Sequence, residues 1–152
     1  MSRVQLALRV PDLQASIAFY SKLFGTEPAK LRDGYANFAI ADPPLKLVLV
    51  QGAPGTGTRM DHLGVEVATT EEVHAATTRL QDQGLATDIE TDTTCCYARQ
   101  DKVWVRGPGQ EPWEIYVVKA DTDSMAEQTD STCCADPAAA EAGRPPAEAE
   151  DR

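Results

Sequence analysis

The chain has 152 residues, enough for one domain with a buried core, and carries 24 acidic against 14 basic side chains, a formal net charge of −10. No apolar run approaches the roughly 20 residues of a membrane span, and the opening Met1-Ser2-Arg3-Val4-Gln5 lacks the charged and apolar regions of a secretory signal. The expectation is a soluble, cytoplasmic protein without a membrane or nucleic-acid partner, whose four cysteines are thiols or ligands rather than structural disulfides.

Residues 4–10 alternate with period two: Val4, Leu6, Leu8 and Val10 on one face, Gln5, Ala7 and Arg9 on the other, a half-buried strand. Pro11-Asp12 ends it, and Asp12 is placed to cap a helix over about residues 13–24, with Ile17, Phe19, Tyr20, Leu23 and Phe24 as its apolar stripe and Gly25 as its stop. Strand-like runs follow at residues 29–31, 35–40 and 45–50, separated by Asp-Gly and Asp-Pro-Pro turns. The order is β-α-β-β-β. After a Gly/Pro/Thr linker at residues 51–59 the order recurs. His62-Leu63-Gly64-Val65-Glu66-Val67 aligns with Gln5-Leu6-Ala7-Leu8-Arg9-Val10, and a helix at residues 70–83 and strands at 86–90, 102–106 and 113–119 follow. An internal repeat fixes the fold class more firmly than any single element. The predicted fold is α+β, one domain over residues 1–119 built from two β-α-β-β-β modules (about 1–51 and 60–119) that share an open-barrel cleft.

Residues 120–152 hold nine acids and two arginines, −7 of the net charge, and contain no aromatic or β-branched aliphatic residue. Such a segment cannot bury enough apolar surface to offset its ordering entropy, so a disordered acidic Ala/Pro-rich tail is expected.

If each helix covers the apolar face of its sheet, the cleft faces carry Gln5, Ala7 and Arg9 in the first module and His62, Gly64 and Glu66 in the second. Pairing Val48 with Ile115 puts Leu47 opposite Glu114. The equivalent cleft positions are then Gln5, Leu47, His62 and Glu114, three of which can bind a metal. His62 or Glu114 alone would read as an ordinary satisfied side chain. Together, on neighbouring strands, Gln5, His62 and Glu114 form an N/O set that leaves coordination positions open, like the 2-His-1-carboxylate triad of non-heme Fe(II) sites with an amide oxygen in place of one imidazole. Zn, Ni, Mn and Fe(II) all suit it. His74 reads as a solvated helix residue.

The cysteines come as two adjacent pairs, Cys95-Cys96 and Cys133-Cys134, each after a Thr. Neighbours in a regular strand point to opposite faces, so two sulfurs share a ligand only in irregular backbone. Residues 91–101 read as a loop long enough to move over the cleft. Two thiolates there suit a soft centre such as trivalent arsenic or Cd(II). A regulatory vicinal disulfide or a pair of small buried hydrophobes are the plainer readings. Cys133-Cys134 lie in the tail without a scaffold and read as accessory thiols.

Over residues 1–119 the paired modules, with Gln5, His62 and Glu114 at equivalent positions, resemble the vicinal oxygen chelate (glyoxalase/extradiol dioxygenase) superfamily. The run Thr93-Thr94-Cys95-Cys96-Tyr97-Ala98-Arg99-Gln100-Asp101-Lys102-Val103-Trp104-Val105, then Pro112-Trp113-Glu114-Ile115-Tyr116-Val117, is similar to the C–As lyases and the related cadmium-induced proteins. The resemblance implies a non-heme Fe(II) enzyme that uses dioxygen to break the carbon–arsenic bond of trivalent organoarsenicals and release arsenite. It further implies Cys95 and Cys96 as arsenic ligands and Gln5, His62 and Glu114 as iron ligands, Gln5 departing from the commoner His. The competing expectations are a thiol protein that sequesters As(III) or Cd(II), and a glyoxalase-type isomerase or extradiol dioxygenase, which has no need of the cysteine pair. The sequence leaves open whether two chains pair as a homodimer.

Overall fold

A computed structural model describes residues 1–125. Residues 126–152, with Cys133 and Cys134, lie outside the described residues. The first module contains β1 (Arg3–Val10), α1 (Leu13–Phe24), β2 (Lys30–Arg32), β3 (Tyr35–Ile40) and β4 (Leu45–Gln51). The second contains β5 (Arg59–Glu66), α2 (Thr70–Asp82), β6 (Asp88–Cys95), β7 (Ala98–Arg106) and β8 (Pro112–Asp121). One eight-stranded mixed sheet results, in the order β2-β3-β4-β1-β5-β8-β7-β6. In each module the first strand pairs in parallel with the last, and the two first strands meet antiparallel at the centre. The repeat read from the sequence is thus the repeat of the fold.

Local chemistry explains both helices. The Asp12 side chain accepts from the Ala15 backbone N–H at the start of α1, and Gly25 closes it with φ of 62°. Thr69 and Glu72 form a reciprocal capping box at the start of α2. Each helix covers one outer sheet face. Leu6, Leu8, Val10, Phe38, Leu47 and Leu49 pack with Leu13, Ile17 and Tyr20 of α1, whereas Val103, Ile115 and Val117 pack with Val73 and Leu80 of α2. Full burial of such a side chain contributes about 1.5–3 kcal/mol relative to exposure. No described helix is long and apolar enough to cross a membrane.

Three expectations are corrected. Leu47 packs under α1 and not in the cleft, because Leu63 pairs with Trp113 while Leu6 pairs with Leu47. The cleft counterpart of Glu114 is therefore Val48. Secondly, residues 91–101 are not a long loop. Strands β6 and β7 run through them to a hairpin whose turn is Cys96-Tyr97, with φ of 53° and 60°. Two successive positive-φ residues match the right-handed twist of a tight hairpin. Finally, the tail does not begin at Ala120. Strand β8 continues to Asp121, and the backbone beyond it bonds the turn through Thr122 N–H to the Tyr97 carbonyl (2.9 Å) and Cys96 N–H to the Met125 carbonyl (2.8 Å).

The same turn curls the sheet toward closure. Lys30 Nζ donates to the Tyr97 carbonyl (3.2 Å), the Tyr97 hydroxyl donates to the Asp33 carbonyl (3.2 Å), and the Tyr97 ring lies 5.2 Å from that of Tyr35. The tip of the second module thereby reaches the far hairpin of the first, with the cleft between them.

Candidate functional site

The cleft is organised around Gly64. On its two sides the sheet pairs Gly64 with Gln5 of β1 and with Glu114 of β8, while His62 precedes it by one period on the same face. A Cβ at Gly64 would stand 3.0 Å from Glu114 Cγ and 3.4 Å from Gln5 Cβ. The missing side chain is what lets the two flanking side chains fold inward over it. Gln5, His62 and Glu114, all at most 4% exposed, then converge. Gln5 Nε2 lies 2.8 Å from Glu114 Oε1 and 3.0 Å from His62 Nε2, and His62 Nε2 lies 3.3 Å from Glu114 Oε1.

These separations fit a small octahedral ion, since bonds of ~2.1 Å place neighbouring ligands roughly 3.0 Å apart. The donor set, one carboxylate, one imidazole and one amide, suits a divalent ion that prefers nitrogen and oxygen. Among the described residues no three His, Cys, Asp or Glu side chains group to hold a metal. The amide of Gln5 is the member of the cluster that lies outside those residue types.

A ring of charges supports the three. His62 Nδ1 lies 2.7 Å from Asp61 Oδ1, and Arg9 holds the other Asp61 oxygen at 2.9 Å, an arrangement that fixes which imidazole nitrogen faces the cleft. Burial disfavours the imidazolium, but hydrogen bonds to Asp61 and Glu114 outweigh it and raise the His62 pKa to about 10. For Glu114, burial alone would raise the pKa, yet the Lys102 ammonium 2.7 Å from Oε2, aided by His62, holds it near 2. Lys102 itself is only 1% exposed, and its ammonium stands over the rings of Trp104 (5.2 Å) and Tyr116 (5.7 Å). Burial opposes its charge and Glu114 more than restores it. A second group lies one row further along the sheet: the Tyr116 hydroxyl contacts Gln5 Oε1 and, at 3.0 Å, Glu66 Oε2.

The cysteine turn closes over this cluster. Cys95 ends a strand while Cys96 is left-handed, so the alternation of side chains breaks and the two Sγ atoms lie 3.3 Å apart. That spacing exceeds the ~2.05 Å of an S–S bond, so the pair is not a vicinal disulfide. Cys95 and Cys96 pack on Trp104, whose ring stands 5.4 Å from His62, edge to face. A thiolate at Cys96 would raise the pKa of both His62 and Lys102. On the opposite wall Cys96 and Tyr97 meet Ala7, Tyr35, Val48 and Val50.

Residues 3–115 match the Glyoxalase/Bleomycin resistance protein/Dioxygenase superfamily. The chain belongs to that superfamily. Within it, the chain is 69% identical over 134 residues to a trivalent organoarsenical cleaving enzyme of Thermomonospora curvata, covering 88% of this chain and 89% of that one. It is 62% identical over 125 residues to a cadmium-induced protein of Mycobacterium bovis, covering 82% of each. An extradiol ring-cleaving dioxygenase from B. fuscum shares the superfamily fold, with a TM-score of 0.57 at 22% identity over 80% of this chain and 34% of its own.

The three sequence-nominated residues Gln5, His62 and Glu114 are brought together, and Cys95 and Cys96 border the same cleft. His74 is exposed on α2, as expected. Lys102, Asp61 and Tyr116 were not nominated as parts of a site, and Glu66 was placed on the cleft face without a role. A signal existed for three of them. Tyr116 and Glu66 share the period-two phase of Glu114 and His62, and a lysine leading Val103-Trp104-Val105 in a buried strand requires a partner.

Proposed function

We propose that this chain cleaves the carbon–arsenic bond of trivalent organoarsenicals, methylarsenite and aromatic arsenicals among them. In this reading Gln5, His62 and Glu114 hold Fe(II), dioxygen is the co-substrate, and arsenite is the product. The observation that carries the reading is the meeting of two ligand classes in one cleft: a pair of sulfurs 3.3 Å apart, packed through Trp104 onto the imidazole of the N/O cluster. Support also comes from the relative named a trivalent organoarsenical cleaving enzyme.

Each residue then has a physical task. Reduced Cys95 and Cys96 bind trivalent arsenic through two sulfurs, which supplies affinity and holds the carbon–arsenic bond beside the cluster. Trp104 and Tyr35 wall the organic group. Asp61 orients His62 so that Nε2 faces inward. Lys102 occupies one oxygen of Glu114 and keeps the carboxylate ionised, leaving Oε1 as the inward donor. Fe(II), when bound, supplies the activation of dioxygen that none of these side chains can provide.

The test is to load the protein anaerobically with Fe(II), reduce it with a phosphine rather than a competing dithiol, add methylarsenite, and admit air. Arsenite should form only with Fe(II) and oxygen together, and Cys96→Ser should retain iron but lose turnover. Tight arsenic binding without any arsenite release would instead select sequestration, and turnover by Cys96→Ser would remove the sulfur pair from the mechanism.

A further inference from the structure

Gln5 presents the wrong end of its amide. Its nitrogen faces Glu114 Oε1 and His62 Nε2, while its oxygen faces the Tyr116 hydroxyl. An amide nitrogen has no lone pair to give a cation; only the oxygen does. For Gln5 to serve as a ligand, its terminal amide must turn over.

The contacts around the amide say what sets its direction. Tyr116 has one hydroxyl proton and two oxygen neighbours, Gln5 Oε1 and Glu66 Oε2. Glu66 is an ion-paired carboxylate, bonded by Lys46 at 3.1 Å and by Arg3 at 3.1 and 3.3 Å. A charged acceptor takes a hydroxyl proton in preference to a neutral amide oxygen. With the proton on the Glu66 side, Gln5 Oε1 meets only the lone pairs of the Tyr116 oxygen. Turning the amide resolves that contact, because Nε2–H then donates to the Tyr116 oxygen while Tyr116 continues to donate to Glu66. At the inner end the preference is reversed. The amide N–H satisfies the Glu114 carboxylate at 2.8 Å, and turning it would set two oxygens face to face, a conflict that a proton on His62 Nε2, 3.0 Å from the amide, offsets only in part and that a cation between the oxygens removes. The inner end thus favours the observed direction when no cation is present, and both ends favour the turned one when it is.

We propose that Tyr116 and Glu66 are a positioning pair that holds the Gln5 oxygen inward for a divalent metal, and that the Gln5 amide reverses as the metal enters. This rests on the reading of Gln5, His62 and Glu114 as metal ligands. The pair and the amide it holds span three strands: Gln5 on β1, Glu66 on β5 and Tyr116 on β8, with Glu66 and Tyr116 in register. The sheet itself therefore fixes the outer end of the switch.

The test is Mn(II) binding to the metal-free full chain at fixed pH, followed by the electron paramagnetic resonance signal of free Mn(II). This hard ion prefers the N/O cluster to the cysteines. Tyr116→Phe removes one hydrogen bond made only in the metal-ready state, so binding should weaken about tenfold. Glu66→Ala should weaken it further, because the hydroxyl proton is then released to Gln5 Oε1 and holds the unready direction. The double variant should return to the Tyr116→Phe value. In a Gln5→His background, where the ligand has no amide to turn, Tyr116→Phe should change affinity less than twofold. A second readout is nuclear Overhauser contact between the Gln5 amide protons and the Tyr116 ring, which should appear only after Zn(II) is added. Equal weakening in the Gln5 and His backgrounds, or an unchanged Overhauser contact, overturns the switch. Parent-like Mn(II) affinity in Tyr116→Phe overturns it while leaving the metal reading intact. No Mn(II) uptake by the parent protein overturns both.

Discussion

The two modules share a topology and differ in what they put on the inner face. Aligned strand for strand, Gln5, Ala7, Val48 and Val50 of the first correspond to His62, Gly64, Glu114 and Tyr116 of the second. The first module presents an apolar wall in which Ala7, Tyr35 and Val48 are at most 2% exposed. The second presents a buried charge network in which every ionised group has a partner. The repeat gives a symmetric frame, in which the second half carries most of the chemistry while the first contributes Gln5, the cations Arg9, Arg3 and Lys46 that pair with Asp61 and Glu66, and the surface that packs against Cys96 and Tyr97. One cleft rather than two mirror-related ones follows from that difference.

The largest effect expected from breaking the contrast is at Glu114. Glu114→Ala should remove metal uptake and lower turnover by at least about 100-fold, read as metal content and arsenite formation, since ligand loss exceeds the 10–100-fold typical of supporting residues. The converse change, Val48→Glu, writes the carboxylate onto the apolar wall without a lysine to pair it. A buried unpaired charge costs about 3–5 kcal/mol, so urea unfolding should show a loss of that order; a loss under about 1 kcal/mol would mean the two faces are not different in kind.

The third effect concerns pH. In the metal-free protein the His62 pKa is raised to about 10 from 6.5. A group raised on folding stabilises the native state fully below its unfolded pKa and loses that contribution as pH climbs through the folded one. Metal-free stability should therefore decline between pH 6.5 and 10, by up to about 1.4 kcal/mol per pH unit, and His62→Gln should flatten the decline. A metal ligand must be unprotonated, so metal affinity should rise over the same window. The smallest effect is at Gly64. Gly64→Ala gives the second module the residue the first already has, but its methyl meets Glu114 Cγ at 3.0 Å. Overpacking of this kind costs about 1–3 kcal/mol, and Mn(II) affinity should fall several-fold; the reverse change, Ala7→Gly, should leave metal affinity unaltered.

Much of this was legible because period-two alternation in residues 4–10 and 62–67 fixes which side chains share a face. Gln5, His62 and Glu114 followed from that phase and from ligand chemistry. The error at Leu47 has the same origin. Residues 45–50 are apolar on both faces except for Lys46, because the inner wall of the first module is itself apolar, so alternation there carries no phase. The hairpin at residues 91–101 was hidden for another reason. Its composition is polar, and its turn uses Cys96 and Tyr97 in left-handed conformations that sequence patterns associate with Asn or Gly. The role of Asp61 was not legible, and Lys102 showed only that it needs a partner, because the partner of each is brought close by strand pairing or side-chain direction that the sequence alone does not show.

Gly64 has one more implication. The two side chains that lean over it arise from strands on either side of its own, and hydrogen-bonded strands keep a spacing of roughly 4.7–4.9 Å. The width of the gap is thus gauged by the peptide ladder of three strands, and rotamer choice can trim it only slightly. Discrimination between ions of different radius would then be inherited from the sheet, and a designer wishing to retune it would have to change a bulge or a register before changing a ligand.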